Sequence, residues 1–210
     1  TDGQAGAEGI IAFIVEKGFK GFSTAQKLDK LGMRGSNTCE LAFQDCEVPA
    51  ENVLGGEGRG VKVLMSGLDY ERAVLAAGPL GIMQSCMDVV LPYVHERQQF
   101  DQQIADFQNT QFMLADMATD LEAARALLYL AAAKVTDNAP DKSRFSAMAK
   151  RLATDNGSKV VNDALQLFGG YGYLKDYPIE RYWRDLRVHS ILEGTNQVMR
   201  MIVGRDLLRQ

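Results

Sequence analysis

Cysteine and net charge are both scarce in this chain, and each scarcity excludes a class of protein. Among the 210 residues are three cysteines, Cys39, Cys46 and Cys86, which form neither a CxxC metal spacing nor the even set of a disulfide framework. We therefore expect them to be reduced core residues in a cytosol-like compartment. The formal net charge is −4, so the broad basic surface that nucleic-acid binding requires is not predicted.

Long apolar runs, metal spacings and nucleophile elbows are also missing. No run of about 18 apolar residues stands out, which predicts no membrane span. The two histidines, His95 and His189, are far apart, so no metal centre is expected. No GxSxG elbow supports a serine triad. The first residues, TDGQAGAEG, resemble a loop inside a fold, and we expect the chain to begin within a domain.

The sequence falls into two regions with different residue patterns. Residues 9–16 and 38–48 are β-rich runs between glycine-rich turns, which predicts that residues 1–57 belong to a β domain. Residues 58–210 instead carry apolar residues at three- and four-residue spacing, the period of buried helices. The predicted helices are 60–97, 106–137, 141–168, 179–187 and 195–208. Long helices joined by short breaks pack as an antiparallel bundle.

Two of the predicted helices are preceded by a residue of a type that is favoured at the N-cap position. Asp141 precedes the third long helix, and Thr195 precedes the last short one. A side-chain oxygen at this position accepts a hydrogen bond from an otherwise unpaired backbone N–H. We therefore expect both side chains to cap their helices.

The segment FGGYGYLKDYP at 168–178 is a glycine-rich loop that follows the third predicted helix. A dinucleotide fingerprint needs the order strand, GxGxxG, helix, and this loop has a different setting. Gly169 in positive φ would end the helix as a C-cap. The adjacent Gly169 and Gly170 would also let a flat ligand approach the backbone closely. The residues alone leave both interpretations open.

Two glutamates are candidate bases. Glu193 in ILEGTNQ stands between apolar residues and a helix start, where partial desolvation would raise its pKa. The alternative is a carboxylate that interacts with the dipole of the following helix. Glu71 in GLDYERAVLAAG lies beside Arg72 and two residues after Asp69, and its simplest interpretation is a solvated charge cluster.

Taken together, four segments resemble the acyl-CoA dehydrogenase family, and the likeness extends over essentially the whole chain. They are KLGMRGSNTCELAFQDCEVPAENVLGGEGRG at 30–60, RQQFDQQIADFQNTQFMLADM at 97–117, ALQLFGGYGYLKDYPIERYWRD at 164–185 and ILEGTNQVMRMIVGRDLL at 191–208. Members have an N-terminal helical domain, a middle β domain and a C-terminal four-helix bundle, usually in a homotetramer. The resemblance implies a mainly α fold in which an antiparallel four-helix bundle over 58–210 follows part of the β domain over 1–57. By that comparison the first helical domain is lacking.

The resemblance also implies that FAD lies between the β domain and the bundle, with part of it held by a neighbouring subunit. Arg97 matches the arginine that approaches the flavin diphosphate, for which a guanidinium is well suited. The other residues at cofactor-contacting positions are Phe100, Gln108, Gln166, Gly169, Gly170, Thr195 and Gln197. Asp101 departs from the family, which usually has glycine after the QF pair, and a carboxylate there would alter a turn close to the cofactor phosphates.

The family places its catalytic glutamate in one of two ways. Most members use the glutamate of the EGT motif, here Glu193, whereas the isovaleryl- and long-chain-specific members use the helix position of Glu71. The isovaleryl type normally replaces the EGT glutamate by a small residue, and that replacement is absent here. We assign the base to Glu193, with Glu71 as the alternative. The substrate-binding residues implied are Arg72, Asp69 and Gly194.

The implied reaction is FAD-dependent α,β-dehydrogenation of a short acyl-CoA, branched or unbranched, to a trans-2-enoyl-CoA. An electron-transfer flavoprotein would take up the electrons, in the bacterial cytoplasm or the mitochondrial matrix. One alternative is an oxygen-using relative, an acyl-CoA oxidase or a nitroalkane-oxidising flavoprotein, which rapid oxidation of reduced flavin by oxygen would identify. The other is a non-catalytic helical-bundle scaffold that cannot be loaded with FAD.

Overall fold

Helices dominate the computed structural model, which describes residues 2–209. They account for 64% of the chain, which confirms the mainly α fold class. The α-helices are α1 (Gly60–Glu96), α2 (Gln108–Thr136), α3 (Lys142–Phe168), α4 (Ile179–Leu186) and α5 (Asn196–Leu208). A 3-10 helix occupies Gly169–Tyr173, within the loop predicted to be irregular.

The strands are short and form antiparallel pairs. They are β1 (Ala12–Phe13), β2 (Phe22–Lys27), β3 (Cys39–Phe43), β4 (Val53–Leu54), β5 (Gln98–Gln99) and β6 (Gln102–Gln103). β1 pairs with β4, β2 with β3, and β5 with β6. In the β2–β3 pair, Phe22 lies opposite Phe43 and their rings stack with centroids 4.9 Å apart. The run predicted at 9–16 contributes only β1, and its first residue belongs to a 3-10 turn at Gly6–Gly9.

The chain divides into two compact units, and the division falls inside α1. One unit holds the chain through Lys30 together with Arg34–Leu68, and the other holds Leu31–Met33 with the chain from Asp69 onward. The predicted domain boundary at residues 57 and 58 stays a prediction.

In the helical unit, α3 is the central helix and packs against α2, α4 and α5. The core is apolar, and burial of these side chains is the main source of its stability. Wholly buried members include Met83 and Val90 on α1, and Val160 on α3. On α3, Gly157 lets Leu186 approach, since an added Cβ would lie 3.2 Å from one of its methyl groups. This close packing fixes the chain that leads from α4 into α5.

Helix α1 alters the expectation about membrane spans. By length and composition alone it is long and apolar enough to cross a membrane, although Asp88 interrupts the apolar run. That is weak evidence, because the core helix of a bundle passes the same test. One side of α1 is indeed buried in the core of the helical unit through Ala76, Met83 and Val90.

Local details confirm some expectations and correct others. Thr195 caps α5, since its hydroxyl accepts a hydrogen bond from the Val198 N–H at 3.4 Å. Asp141 stands at the N-cap position of α3 but makes no cap bond, because its carboxylate accepts from the Lys134 ammonium at 2.8 Å. An ion pair has replaced the cap.

The cysteines are all free, as expected, but only one is a core residue. Cys86 is buried, and its burial raises the pKa of its thiol to about 12, which makes it unreactive. Cys39, the first residue of β3, and Cys46, in the loop after it, are half-buried, and most of the residues around them are exposed.

Candidate functional site

The two residues before Thr195 form a left-handed turn at the entrance to α5. Glu193 has φ +54° and Gly194 has φ +91°. An L side chain at position 194 would be strained, and its Cβ would also lie 2.9 Å from the Met199 methyl group. For a glutamate, the left-handed conformation costs roughly 1–3 kcal/mol. Such strain persists only where the surroundings hold it, and it is a frequent feature of functional sites.

Two buried cations hold this turn by its backbone. The Arg72 Nε donates to the carbonyl of Glu193 at 3.2 Å, and the Lys150 Nζ donates to the carbonyl of Gly194 at 2.7 Å. Arg72 is 8% exposed and Lys150 is 0% exposed. The contacts come from α1 and α3, so the packing of the bundle determines where the turn lies.

The two candidate bases are brought together at this turn. Glu71 on α1 lies within hydrogen-bonding reach of the Glu193 side chain. Burial and the nearby negative charge of Glu71 raise the pKa of Glu193, whereas the cationic Arg72 and Lys150 lower it. Arg72 itself pairs with Asp69, their charged groups 3.6 Å apart.

The predicted substrate-binding residues gather at the same place. Asp69 accepts a hydrogen bond from the Ser143 hydroxyl on α3 and pairs with Arg72. Arg72 is therefore engaged inside the protein, with Asp69 and with the Glu193 carbonyl. In the described residues Asp69, Arg72 and Gly194 form a support for the Glu193 turn.

Four of the predicted cofactor residues line a cavity of about 510 Å³. They are Arg97, Gln166, Gly169 and Gly170. Gly169 ends α3 with φ +57°, which confirms its predicted positive φ. A Cβ added at Gly170 would meet nothing within 4 Å, so the backbone there is open to a ligand. Both interpretations of the glycine loop, C-cap and accessible backbone, therefore hold at once.

Aromatic side chains complete this cavity. The Tyr93 ring stacks on Phe168 at a centroid distance of 4.0 Å, and Tyr171 stacks on Tyr177 at 5.5 Å. The Arg97 guanidinium lies over the Tyr171 ring, 5.2 Å from its centroid. Sequence reasoning missed Tyr93 and Tyr171 as lining residues. Tyr171 had a usable signal, because it lies inside the glycine loop itself.

Phe100 and Gln108 lie outside that cavity's lining. Phe100 and Asp101 are the turn residues between β5 and β6, with φ +55° and +62°, as a two-residue type I′ hairpin requires. Phe100 is 87% exposed, and Gln108 is an exposed residue at the start of α2. Gln99 of the same hairpin does line the cavity.

Thr195 and Gln197 stand at the start of α5, beside the Glu193 turn. The Thr195 hydroxyl serves as the helix cap, and Gln197 is exposed. The predicted cofactor residues thus occupy four places in the described structure: the cavity, the hairpin turn, the start of α2 and the start of α5.

Comparison with known proteins adds to this geometry. Residues 58–208 match the family model described as "Acyl-CoA dehydrogenase, C-terminal domain". The chain belongs to the acyl-CoA dehydrogenase family. It is 52% identical to the mitochondrial isovaleryl-CoA dehydrogenase of Solanum tuberosum over 210 residues, which cover 100% of this chain and 51% of that protein.

Solved structures similar to this chain support the same family. Butyryl-CoA dehydrogenase from Megasphaera elsdenii superposes with a TM-score of 0.96 at 45% identity, covering 100% of this chain and 54% of that one. A chain in a structure described as "Electron transferring flavoprotein of Acidaminococcus fermentans" gives 0.96 at 50% identity, with 100% and 55% covered. The chain therefore spans about half the length of its relatives.

Members of the acyl-CoA dehydrogenase family are flavoproteins, so FAD is expected, and the cavity residues fit such a group. Arg97 forms no ion pair among residues 2–209, so its charge is available to a diphosphate. The open backbone at Gly170 allows a flat group to approach closely. In that same part of the chain, no group of three or more histidine, cysteine or acidic side chains is arranged to hold a metal ion.

The raised pKa of Glu193 predicts how pH affects stability. Below the unfolded-state pKa, Glu193 is protonated in both states and contributes nothing; as pH rises through its higher folded-state pKa, stability is lost. We therefore expect Glu193→Gln, which cannot ionise, to gain stability relative to wild type between about pH 5 and pH 8. Urea unfolding of wild type and of Glu193→Gln, at about pH 5 and at about pH 8, measures this gain in the free energy of unfolding. Glu122→Gln, which changes a surface carboxylate paired with Arg125, should show no such gain, and an equal gain in both variants would contradict the assignment.

Proposed function

We propose that the complete protein is a FAD-dependent acyl-CoA dehydrogenase that converts a short acyl-CoA, branched or unbranched, to a trans-2-enoyl-CoA. The observation that carries the proposal is Glu193, a carboxylate of raised pKa at a strained turn held by two buried cations. A base of this kind suits the α-proton of a thioester, which is only weakly acidic. The isovaleryl-CoA dehydrogenase relative supports a branched substrate.

The residues of this chain would perform the proton transfer and the positioning. Glu193 accepts the α-proton, and its backbone N–H donates to the thioester carbonyl, which stabilises the charge that develops there. Arg72 and Lys150 keep the turn in one conformation during this step. FAD, when bound, supplies the acceptor for the β-hydride.

We assign the FAD contacts to the four places already described. Arg97 approaches the diphosphate, Gln166, Gly169 and Gly170 receive the adenosine part, and the others contact the remainder; these are Phe100, Gln108, Thr195 and Gln197. A homotetramer would explain this division, because one cofactor would be held by two subunits. Exposed apolar side chains on α2, among them Phe112, Tyr129 and Leu130, support contact with a further subunit.

The proposed electron acceptor is an electron-transfer flavoprotein, and one similar chain was solved in a structure described as such a protein. The proposed location is the bacterial cytoplasm or the mitochondrial matrix. Relatives of both kinds, mitochondrial and bacterial, are consistent with either one.

The direct test uses full-length protein loaded with FAD and kept free of oxygen. Isovaleryl-, isobutyryl- and butyryl-CoA are added in turn, and loss of the oxidised flavin absorbance is followed. We expect rapid bleaching by at least one of them and slow reoxidation when oxygen is admitted. Rapid reoxidation by oxygen would identify an oxidase, and a colourless protein that takes up no FAD would identify a scaffold.

The hairpin carboxylate gives a further prediction. If the β5–β6 turn lies near the cofactor phosphates, Asp101 repels them, and Asp101→Asn should tighten FAD binding about 2-fold to 5-fold, as expected for screened unit charges several ångströms apart. Asparagine keeps the left-handed backbone that this position requires. FAD titration of apoprotein measures the affinity. Asp137→Asn, at the far end of α2, is the control; equal affinities in wild type and Asp101→Asn would remove the turn from the phosphate site.

A further inference from the structure

Lys150 is a buried amine in the middle of α3. Lys150 is 0% exposed. Burial of an ammonium group is costly unless its hydrogen bonds are satisfied. Two acceptors are present: the Gly194 carbonyl at 2.7 Å and the Asn196 Oδ1 at 2.9 Å. A solvated lysine on a helix surface would need neither contact. Lys150 is therefore directed at one specific stretch of chain, the turn after Glu193.

The neighbours of Lys150 fix its direction. Asn196 is buried, and its Nδ2 donates to the Thr154 hydroxyl at 2.8 Å and to the Asp155 carboxylate at 2.7 Å. These bonds orient the Asn196 carbonyl oxygen toward Lys150. The network thus connects the core of α3 to the first residue of α5 through satisfied polar contacts.

The contact to Gly194 complements the one made by Arg72. Arg72 holds the carbonyl of Glu193, and Lys150 holds the next carbonyl along the chain. Two consecutive carbonyls fixed from two different helices define the orientation of the peptide between them. That peptide sets the direction in which the Glu193 side chain leaves the turn.

We propose that Lys150 is a positioning residue for the base, holding the Glu193 turn through the Gly194 carbonyl and opposing the negative charge of the Glu193 side chain. This proposal rests on the proposed function of Glu193. Lys150 acts through the turn, because its ammonium group donates to the Gly194 carbonyl and to the Asn196 Oδ1.

The charges around the turn support this role. Glu193 is influenced by Glu71, Arg72 and Lys150, and Lys150 is influenced by Asp155, Arg72 and Glu193. The pKa of Lys150 is lowered to about 8, chiefly by burial and also by the positive charge of Arg72, while the carboxylates of Asp155 and Glu193 act in the opposite direction. Lys150 in turn lowers the pKa of Glu193. Removing its charge should therefore leave Glu193 harder to ionise.

The test compares Lys150→Met, which removes both charge and donor, with Lys150→Gln, which removes the charge but keeps an N–H donor. Both are made in full-length, FAD-loaded protein, with Lys159→Gln as the matched control on the same helix, where the lysine bonds to Asp120. We expect the rate of flavin reduction to fall on the order of 10-fold to 100-fold in Lys150→Met and less in Lys150→Gln. The acidic limb of the pH profile should move to higher pH in Lys150→Gln. A normal rate and an unmoved limb in Lys150→Gln would overturn the proposal, and this variant decides the matter if Lys150→Met does not fold.

A second readout needs no catalysis. The stability difference between wild type and Glu193→Gln is measured against pH, first with Lys150 present and then in the Lys150→Gln background. We expect the pH range in which the difference develops to move upward in the second background, because Glu193 has lost a nearby cation. An identical pH dependence in both backgrounds would contradict the coupling. Absence of any flavin reduction in wild type would instead count against the proposed function and leave this measurement interpretable.

Discussion

Glu193→Gln is expected to slow flavin reduction by a short branched acyl-CoA about 10²-fold to 10⁴-fold, the usual cost of losing a general base. Glu71→Gln is expected to slow it far less. Both candidates reach the same place, so proximity does not choose between them. The choice rests on the turn, because Glu193 has two buried cations fixing its backbone, whereas Glu71 is an exposed residue on α1.

Glutamine is a suitable substitution at both positions. Arg72 and Lys150 bind backbone carbonyls, so the turn contacts do not depend on the side chain at position 193. Each variant is first checked for a normal FAD spectrum, and flavin bleaching is then followed in single turnovers. If Glu71→Gln loses activity while Glu193→Gln reduces flavin nearly as fast as wild type, the assignment is wrong and the base is placed as in the isovaleryl type.

The two variants should also differ in pH dependence. Two carboxylates at short range disfavour double ionisation, and the negative charge of Glu71 is one cause of the raised pKa of Glu193. In Glu71→Gln that repulsion is removed. We therefore expect the acidic limb of the remaining activity to move to lower pH. A limb that moves to higher pH would show that Glu71 assists ionisation of Glu193.

The helices were predictable because each is long and its ends are marked. The predicted spans 60–97 and 141–168 differ by one residue from Gly60–Glu96 and Lys142–Phe168. The strand Phe22–Lys27 was missed, because its sequence FSTAQK is mostly polar and exposed and shows no clear alternation. Short strands depend on their partners more than on their own residues.

The candidate site could also be predicted only in part from the sequence. Sequence motifs predicted roles for Glu193, Arg97 and the glycine loop, because each lies among distinctive neighbours in the sequence. Lys150 has no such signal: a lysine within an amphipathic helix is ordinarily solvated, and only the packing of α5 against α3 buries it. Asp141 shows the converse, because its cap motif was visible but Lys134, seven residues earlier, offers its carboxylate a stronger partner.

The second large effect is expected for Arg97→Ala, which should weaken FAD binding by about 1.5–3 kcal/mol, the worth of a charge-assisted hydrogen bond. That corresponds to roughly 10-fold to 150-fold in the dissociation constant. Arg97 lines the cavity beside Gly169 and Gly170, and its guanidinium is held over the Tyr171 ring at 5.2 Å. A planar guanidinium fixed in this way can bind two oxygens of a diphosphate at once.

Arg97→Lys separates charge from geometry. Lysine keeps the positive charge but loses the planar fork, so we expect a weakening smaller than that of alanine. Arg125→Ala is the matched control, because Arg125 is engaged by Glu122 and Gln84 away from the cavity lining. Affinity is measured by FAD titration of apoprotein at two salt concentrations, since a screened ionic contact weakens as salt rises. The alanine variant should lose part of that salt dependence together with its affinity. If Arg97→Ala binds FAD as tightly as wild type, Arg97 does not contact the diphosphate, and the cavity at the end of α3 needs another ligand.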